Sequence, residues 1–132
     1  INYRCGTGHS VSFVGNVHEG PHALNGRNTV VFQPGMIVTD EPGVYEGGQV
    51  GIRIENELMC VHKADNQYGT FLGFEPIMFV PIATSPVVPG VLTRDELDWL
   101  NAYHREVFTK LAPRLTEEER DWLAKKCAAI GA

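Results

Sequence analysis

Four short segments place chemically capable side chains among glycines and apolar residues: Cys5-Gly6-Thr7-Gly8-His9, Asn16-Val17-His18-Glu19-Gly20-Pro21, Thr39-Asp40-Glu41-Pro42-Gly43 and Gly51-Ile52-Arg53-Ile54-Glu55-Asn56. One imidazole with two carboxylates is the ligand mix that Mn, Co, Fe or Zn takes in hydrolytic centres. His9, Glu41 and Glu55 supply that mix. The glycines beside His9 let backbone and substrate approach closely. A carboxylate in mid-strand is costly unless it is solvated, paired or bound to metal, and Glu55 is placed that way. Each residue also has a plain alternative. Glu55 could pair with Arg53 or face water, Glu41 could sit at a strand end on the surface, and His9 could cap a turn. Positions 9, 41 and 55 are far apart along the chain, so spacing alone does not establish that they converge.

The elements that must position these groups change character along the chain. Residues 1–92 carry four basic and eight acidic residues with most of the Gly and Pro; residues 93–132 carry seven basic and eight acidic residues and almost no Gly. The first stretch reads as strands and turns, the second as helices. Thr29–Phe32 and Met36–Thr39 read as strands around a Pro34-Gly35 type II turn, where Pro presets φ and Gly accepts a positive φ. Ile52–Val61 reads as the clearest strand, with Ile52, Ile54, Leu58 and Cys60 on one face and Arg53, Glu55 and Glu57 on the other. Thr70–Phe74 and Ile77–Val80 add two short runs. Thr93-Arg94-Asp95-Glu96 and Thr116-Glu117-Glu118-Glu119 both fit the capping box. After them, Leu97, Leu100, Val107, Phe108 and Leu111, then Trp122, Leu123, Cys127 and Ile130, recur at helical spacing. The expectation is an α+β architecture: an antiparallel sheet with helices on one face and a two-helix tail.

Composition narrows the function classes. The 132 residues make one domain at most, 43% of them apolar and 20% charged, as in an ordinary globular chain. A net charge of −5 with no basic stripe argues against nucleic acid. No apolar run approaches the roughly 20 residues of a membrane span. Three widely spaced cysteines, Cys5, Cys60 and Cys127, form no disulfide framework and favour a reducing compartment, with Cys60 and Cys127 as small buried apolar residues. His22, His62 and His104 read as bystanders, His22 on the surface. The opening Ile1-Asn2-Tyr3-Arg4 lacks an initiator Met and reads as the start of a piece of something longer.

Taken in order, the four segments resemble those of the Xaa-Pro aminopeptidases (aminopeptidase P) of the pita-bread metallopeptidase family M24. Phe71-Leu72-Gly73-Phe74-Glu75-Pro76 and the helical tail resemble the end of the longer, cytosolic-type members. The resemblance implies the C-terminal portion of a pita-bread fold, with residues 1–92 as the C-terminal half of the catalytic domain and 93–132 as a helical extension packing on it. It implies two divalent ions, Mn first and Co or Zn as alternatives. His9, Glu41 and Glu55 would be metal ligands, with Glu55 bridging. Glu41 would act as general base and His18 as donor to the substrate or tetrahedral intermediate, with Arg53 orienting carboxylates behind them. Relatives hold a substrate-contacting histidine where this chain has Cys5, and a thiol is a poorer donor. The family's two aspartate ligands lie upstream of the matching region, so the segment alone is expected to be inactive. The implied substrate is a peptide with proline at its second position, and the implied setting is a cytoplasmic homodimer. A non-catalytic member of the same fold that grips a peptide or protein is the alternative. Methionine aminopeptidase fits less well, because the His18 and Glu75 segments both point to the Xaa-Pro branch.

Overall fold

Gln33-Pro34-Gly35-Met36 closes as a turn, with Met36 N–H donating to Gln33 O at 3.1 Å and Gly35 at φ +90°. That positive φ is open to Gly at little cost and is what a type II turn requires at its third residue. The computed structural model describes residues 5–131; residues 1–4 and 132, the outer ends of the two expected segments, lie outside the described residues. The turn leads into β1 (Ile37–Asp40), followed by β2 (Gly43–Glu46), β3 (Val50–Arg53), β4 (Asn56–Asn66), β5 (Gly69–Pro76), α1 (Arg94–Leu111) and α2 (Glu117–Lys126). The architecture is α+β with antiparallel sheets. Strands β1, β4 and β5 form one sheet in the order β1-β4-β5, and β2 pairs with β3 in a second.

The chain divides into two compact units, one reaching Met78 and the other starting at Phe79. In the first, Val38 and Cys60 are fully buried where β1 meets β4. Cys60 is thus the small apolar core residue that its type suggests.

Three expected strands are corrected. Ile52–Val61 is not continuous: it breaks at Ile54-Glu55, with β3 pairing to β2 and β4 to β1 and β5. One run of alternating residues therefore serves two sheets, and periodicity carries no mark of where a strand changes partner. Thr29–Phe32 forms no strand, because the Asn28 side chain captures Val30, accepting from its N–H at 3.2 Å and donating to its O at 2.9 Å. Such local bonds compete with a sheet ladder. Ile77–Val80 also stays irregular, held to β4 by Ile77 N–H donating to Glu57 O at 2.9 Å and by the Asn56 side-chain amide donating to Met78 O at 3.2 Å. Pro76 and Pro81 bracket it, and neither can donate to a ladder.

The second unit follows its local signals closely. Both capping boxes form: the Thr93 and Thr116 hydroxyls accept from the N–H of Glu96 and Glu119, whose carboxylates accept from the threonine N–H groups in return. Tyr103, Val107 and Leu123 make the core cluster, with Phe79, Ile82, Phe108, Leu111, Leu115 and Cys127 against it. Trp122, expected in the apolar stripe, is instead 56% exposed, with the Lys126 ammonium 5.7 Å from its ring centroid. Asn101 ties down the chain end by donating to Ile130 O and accepting from Ile130 N–H.

His104 lies in this core, 1% exposed, its Nε2 accepting from Ile82 N–H at 3.1 Å. Burial holds its pKa below the ordinary histidine value, so the folded ring stays neutral where the unfolded ring protonates. The stabilisation is complete above the unfolded pKa of about 6.5 and is lost as pH falls from there through the folded value. Glu96 and Glu119 are held low by their capping bonds, so their contribution is intact near neutral pH and is lost only as pH falls below the ordinary carboxylate range. Denaturant unfolding is therefore expected to show stability falling between pH 7.5 and 5.5, with the fall reduced in His104→Gln. An unchanged slope in that variant would exclude His104 as its source.

Candidate metal and catalytic site

Residues 7–10 run antiparallel to the end of β1 and lock His9 beside Glu41. Thr39 N–H donates to His9 O at 2.9 Å, His9 N–H to Thr39 Oγ1 at 3.0 Å, and Glu41 N–H to Thr7 O at 2.6 Å. Ser10 bridges to Val38 and His9 to Ala23, both antiparallel. This close seating needs a glycine at position 8, where a Cβ would sit 1.8 Å from Thr39 O, a backbone atom with no rotamer by which to yield. Gly8→Ala is expected to cost about 1–3 kcal/mol in denaturant unfolding, the range for overpacking that forces the backbone to shift. Near wild-type stability would mean that the two segments separate easily.

The Glu41 carboxylate, 9% exposed, gathers three partners. Its Oε1 accepts from Thr39 Oγ1 at 3.1 Å and lies 3.0 Å from His9 Nε2, and its Oε2 accepts from Arg53 Nη1 at 2.8 Å. His9 Nδ1 lies 3.0 Å from Ser10 O. A carbonyl only accepts, so Nδ1 carries a proton and the remaining nitrogen, Nε2, faces the carboxylate. Two groups that both present lone pairs at 3.0 Å need a cation between them, either a proton or a metal ion. Two ligand atoms each about 2.0–2.2 Å from a shared ion lie roughly 3 Å apart when the angle between them is near a right angle. An imidazole nitrogen and a carboxylate oxygen therefore fit a shared divalent cation at their observed separation.

The other expected residues are placed unequally. The His18 ring centroid lies 4.2 Å from that of His9, its side chain exposed. Arg53, at the end of β3, reaches Glu41 directly. The Cys5 thiol donates to Gly43 O at 3.7 Å and lies within electrostatic reach of the Arg53 guanidinium. Glu55 falls in the break between β3 and β4, exposed, with no hydrogen bond or ion pair seen among the described residues. No group of three or more His, Cys, Asp or Glu side chains is arranged around one point among the described residues. His9, His18, Glu41, Arg53 and Cys5 thus form one connected cluster, and Glu55 lies outside it.

Tyr45 is the participant that the sequence does not announce. Its ring lies where a Cβ on Gly43 or on Gly51, its cross-strand partner, would come within 2.8 and 2.9 Å of ring atoms. The Arg53 guanidinium carbon sits 5.7 Å from the ring centroid, within cation–π range. Glycines two residues before Tyr45 and across the hairpin are the only signal of this, and reading it requires the register.

Residues 1–62 match the family model described as metallopeptidase family M24, and residues 70–130 match the one for the C-terminal region of peptidase M24. The chain is 47% identical to Aminopeptidase P2 of Arabidopsis thaliana over 130 residues, 93% of this chain and 18% of that protein. It is 41% identical to a probable Xaa-Pro aminopeptidase P of Coprinopsis cinerea, over 98% of this chain and 22% of that one. Among solved structures, an X-prolyl aminopeptidase from Caenorhabditis elegans, described as a cytosolic enzyme with a di-nuclear active site, superposes with a TM-score of 0.77 at 38% identity. That match covers 95% of this chain and 21% of the other. The chain therefore spans about a fifth of the length of the relatives it matches.

Proposed function

The chain belongs to metallopeptidase family M24 and carries the C-terminal portion of its pita-bread fold, and on that premise we propose that it is part of an Xaa-Pro aminopeptidase. Hydrolysis would release an N-terminal residue from a following proline. The observation that carries the reading is the His9–Glu41 pair, whose Nε2 and Oε1 converge at 3.0 Å with the opposite ring nitrogen committed to Ser10. His9 and Glu41 would hold the ions, manganese first and cobalt or zinc as alternatives, together with two aspartates from outside this segment; Glu55, which stands outside the His9–Glu41 cluster in this segment, would complete the set once the upstream part of the fold is in place. When bound, the ions supply Lewis-acid polarisation of the scissile carbonyl and a water acidic enough to attack near neutral pH.

The chain's own residues divide the remaining work. Glu41 accepts the proton of the attacking water and returns it to the proline nitrogen as the bond breaks. Arg53 and Thr39 fix the carboxylate for that transfer. His18, its ring tilted against that of His9 and open to solvent, donates to the carbonyl oxygen as negative charge develops on it; one such donor typically contributes about 3–4 kcal/mol. The imide nitrogen before proline carries no hydrogen, so the pocket must recognise the ring by shape. A cytoplasmic homodimer completes the proposal.

The test uses the full-length protein that contains this segment, assayed with Xaa-Pro and Xaa-Ala peptides before and after chelation and Mn²⁺ re-addition. Metal-dependent cleavage confined to Xaa-Pro supports the proposal. Tight peptide binding without cleavage would establish the non-catalytic alternative instead. The 132-residue chain alone is expected to show no turnover.

A further inference from the structure

His22, expected on the surface, is 8% exposed and anchored. Its Nε2 lies 2.7 Å from Ile37 O in β1, and since a carbonyl only accepts, Nε2–H is the donor. Its ring meets Phe32 edge-on at 5.4 Å, and Phe32 meets Phe74 of β5 in the same way at 5.2 Å. The main chain of His22 closes a loop: Ser10 N–H donates to His22 O at 3.1 Å, Glu19 N–H donates to Ser10 O at 3.2 Å, and the Ser10 hydroxyl donates to Glu19 O. Residues 11–19 leave at Ser10 and return to it, carrying His18 to the His9 ring on the way. Nearly all of that loop is exposed, Phe13 and Val14 included, so it has little packing of its own to hold it.

We propose that His22 is a positioning residue, which fixes the 11–19 loop to β1 and so sets where His18 stands relative to His9 and Glu41. Ile37 begins the strand whose end leads directly into Glu41. One hydrogen bond thus references the loop to the strand that carries the carboxylate. The Nδ1 of His22 is buried without a partner, so the bond to Ile37 is the polar contact that orients the ring. The catalytic consequence rests on the aminopeptidase reading, whereas the anchoring of the loop does not.

Two variants of the full-length protein separate the bond from the packing. His22→Phe keeps a ring against Phe32 and loses the donor, while His22→Gln keeps a donor and loses the ring. Loss of one hydrogen bond corresponds to about a fivefold effect. In His22→Phe, amide hydrogen exchange in residues 11–19 is expected to rise about fivefold, with that of α1 unchanged, and kcat for an Xaa-Pro peptide to fall about fivefold at unaltered Mn²⁺ affinity. His22→Gln is expected to retain most of both, and His22→Phe to add nothing further in a His18→Ala background. Unchanged exchange in His22→Phe, or equal rises in both variants, would overturn the anchoring role. A loosened loop with unchanged kcat in a wild type that cleaves Xaa-Pro would overturn the link to His18. If the wild type cleaves no Xaa-Pro peptide, the aminopeptidase reading fails while exchange still decides the anchoring.

Discussion

Glu41→Gln in the full-length protein is expected to lower kcat/KM for Xaa-Pro peptides by at least about a thousandfold, the upper part of the range for a general base, and to strip Mn²⁺ from the site. The amide keeps the carboxylate's shape and can still bond Thr39 and Arg53, which hold the two oxygens at 3.1 and 2.8 Å. What disappears is the negative charge opposite His9 Nε2 and the capacity to take a proton from water. Arg53 is left without its counter-charge, but it is exposed enough for solvent to compensate. Folding stability should therefore change little while activity and metal content collapse together. Retention of activity within about tenfold would remove Glu41 from the catalytic centre.

Replacing Glu55 by Ala is expected to abolish hydrolysis, whereas Glu57→Ala should leave it nearly unchanged. In the described fold Glu55 is exposed and makes no bond, so its removal should cost within about 0.5 kcal/mol of stability, as for a featureless surface site. Any large loss of activity must then come from chemistry rather than from folding. Glu57 sits in β4 directly opposite Thr39, half-buried, and its main-chain oxygen takes Ile77 N–H. Main-chain bonding of that kind survives truncation of the side chain. Metal content measured beside kcat/KM separates the two positions. Equal losses from both would mean that the chain's assignment of the second glutamate ligand is off by one strand repeat.

The starts of both tail helices were legible to the residue, because a capping box is an agreement between groups three positions apart and needs no distant partner, whereas α2 stops at Lys126, short of the Ile130 that the apolar spacing carried into it. The Pro34-Gly35 turn was legible for the same reason. The strands were readable as apolar alternation but not as boundaries. Nothing at Ile54-Glu55 marks the switch between sheets, and Asn28's hold on Val30 outcompetes a strand that the pattern favours. In the site, His9, His18, Glu41 and Arg53 could be named by type and motif. Tyr45 could not, since its role depends on facing Gly51 across a hairpin, nor could His22, whose partner is a main-chain oxygen fifteen positions away.

Residue chemistry by itself determined that this chain carries imidazole and carboxylate groups set among glycines, that its sequence holds no basic stripe, and that two capped helices follow the strands. Those are properties of side-chain type and of neighbours within a few positions. Only the tertiary structure decided that His9 and Glu41 meet at 3.0 Å, that Arg53 reaches the same carboxylate, and that Glu55 stands apart from them among the described residues. Convergence of that kind is set by strand register and by backbone approaches such as that of Gly8 to Thr39. A shift of one residue in either would turn the same side chains to the opposite face.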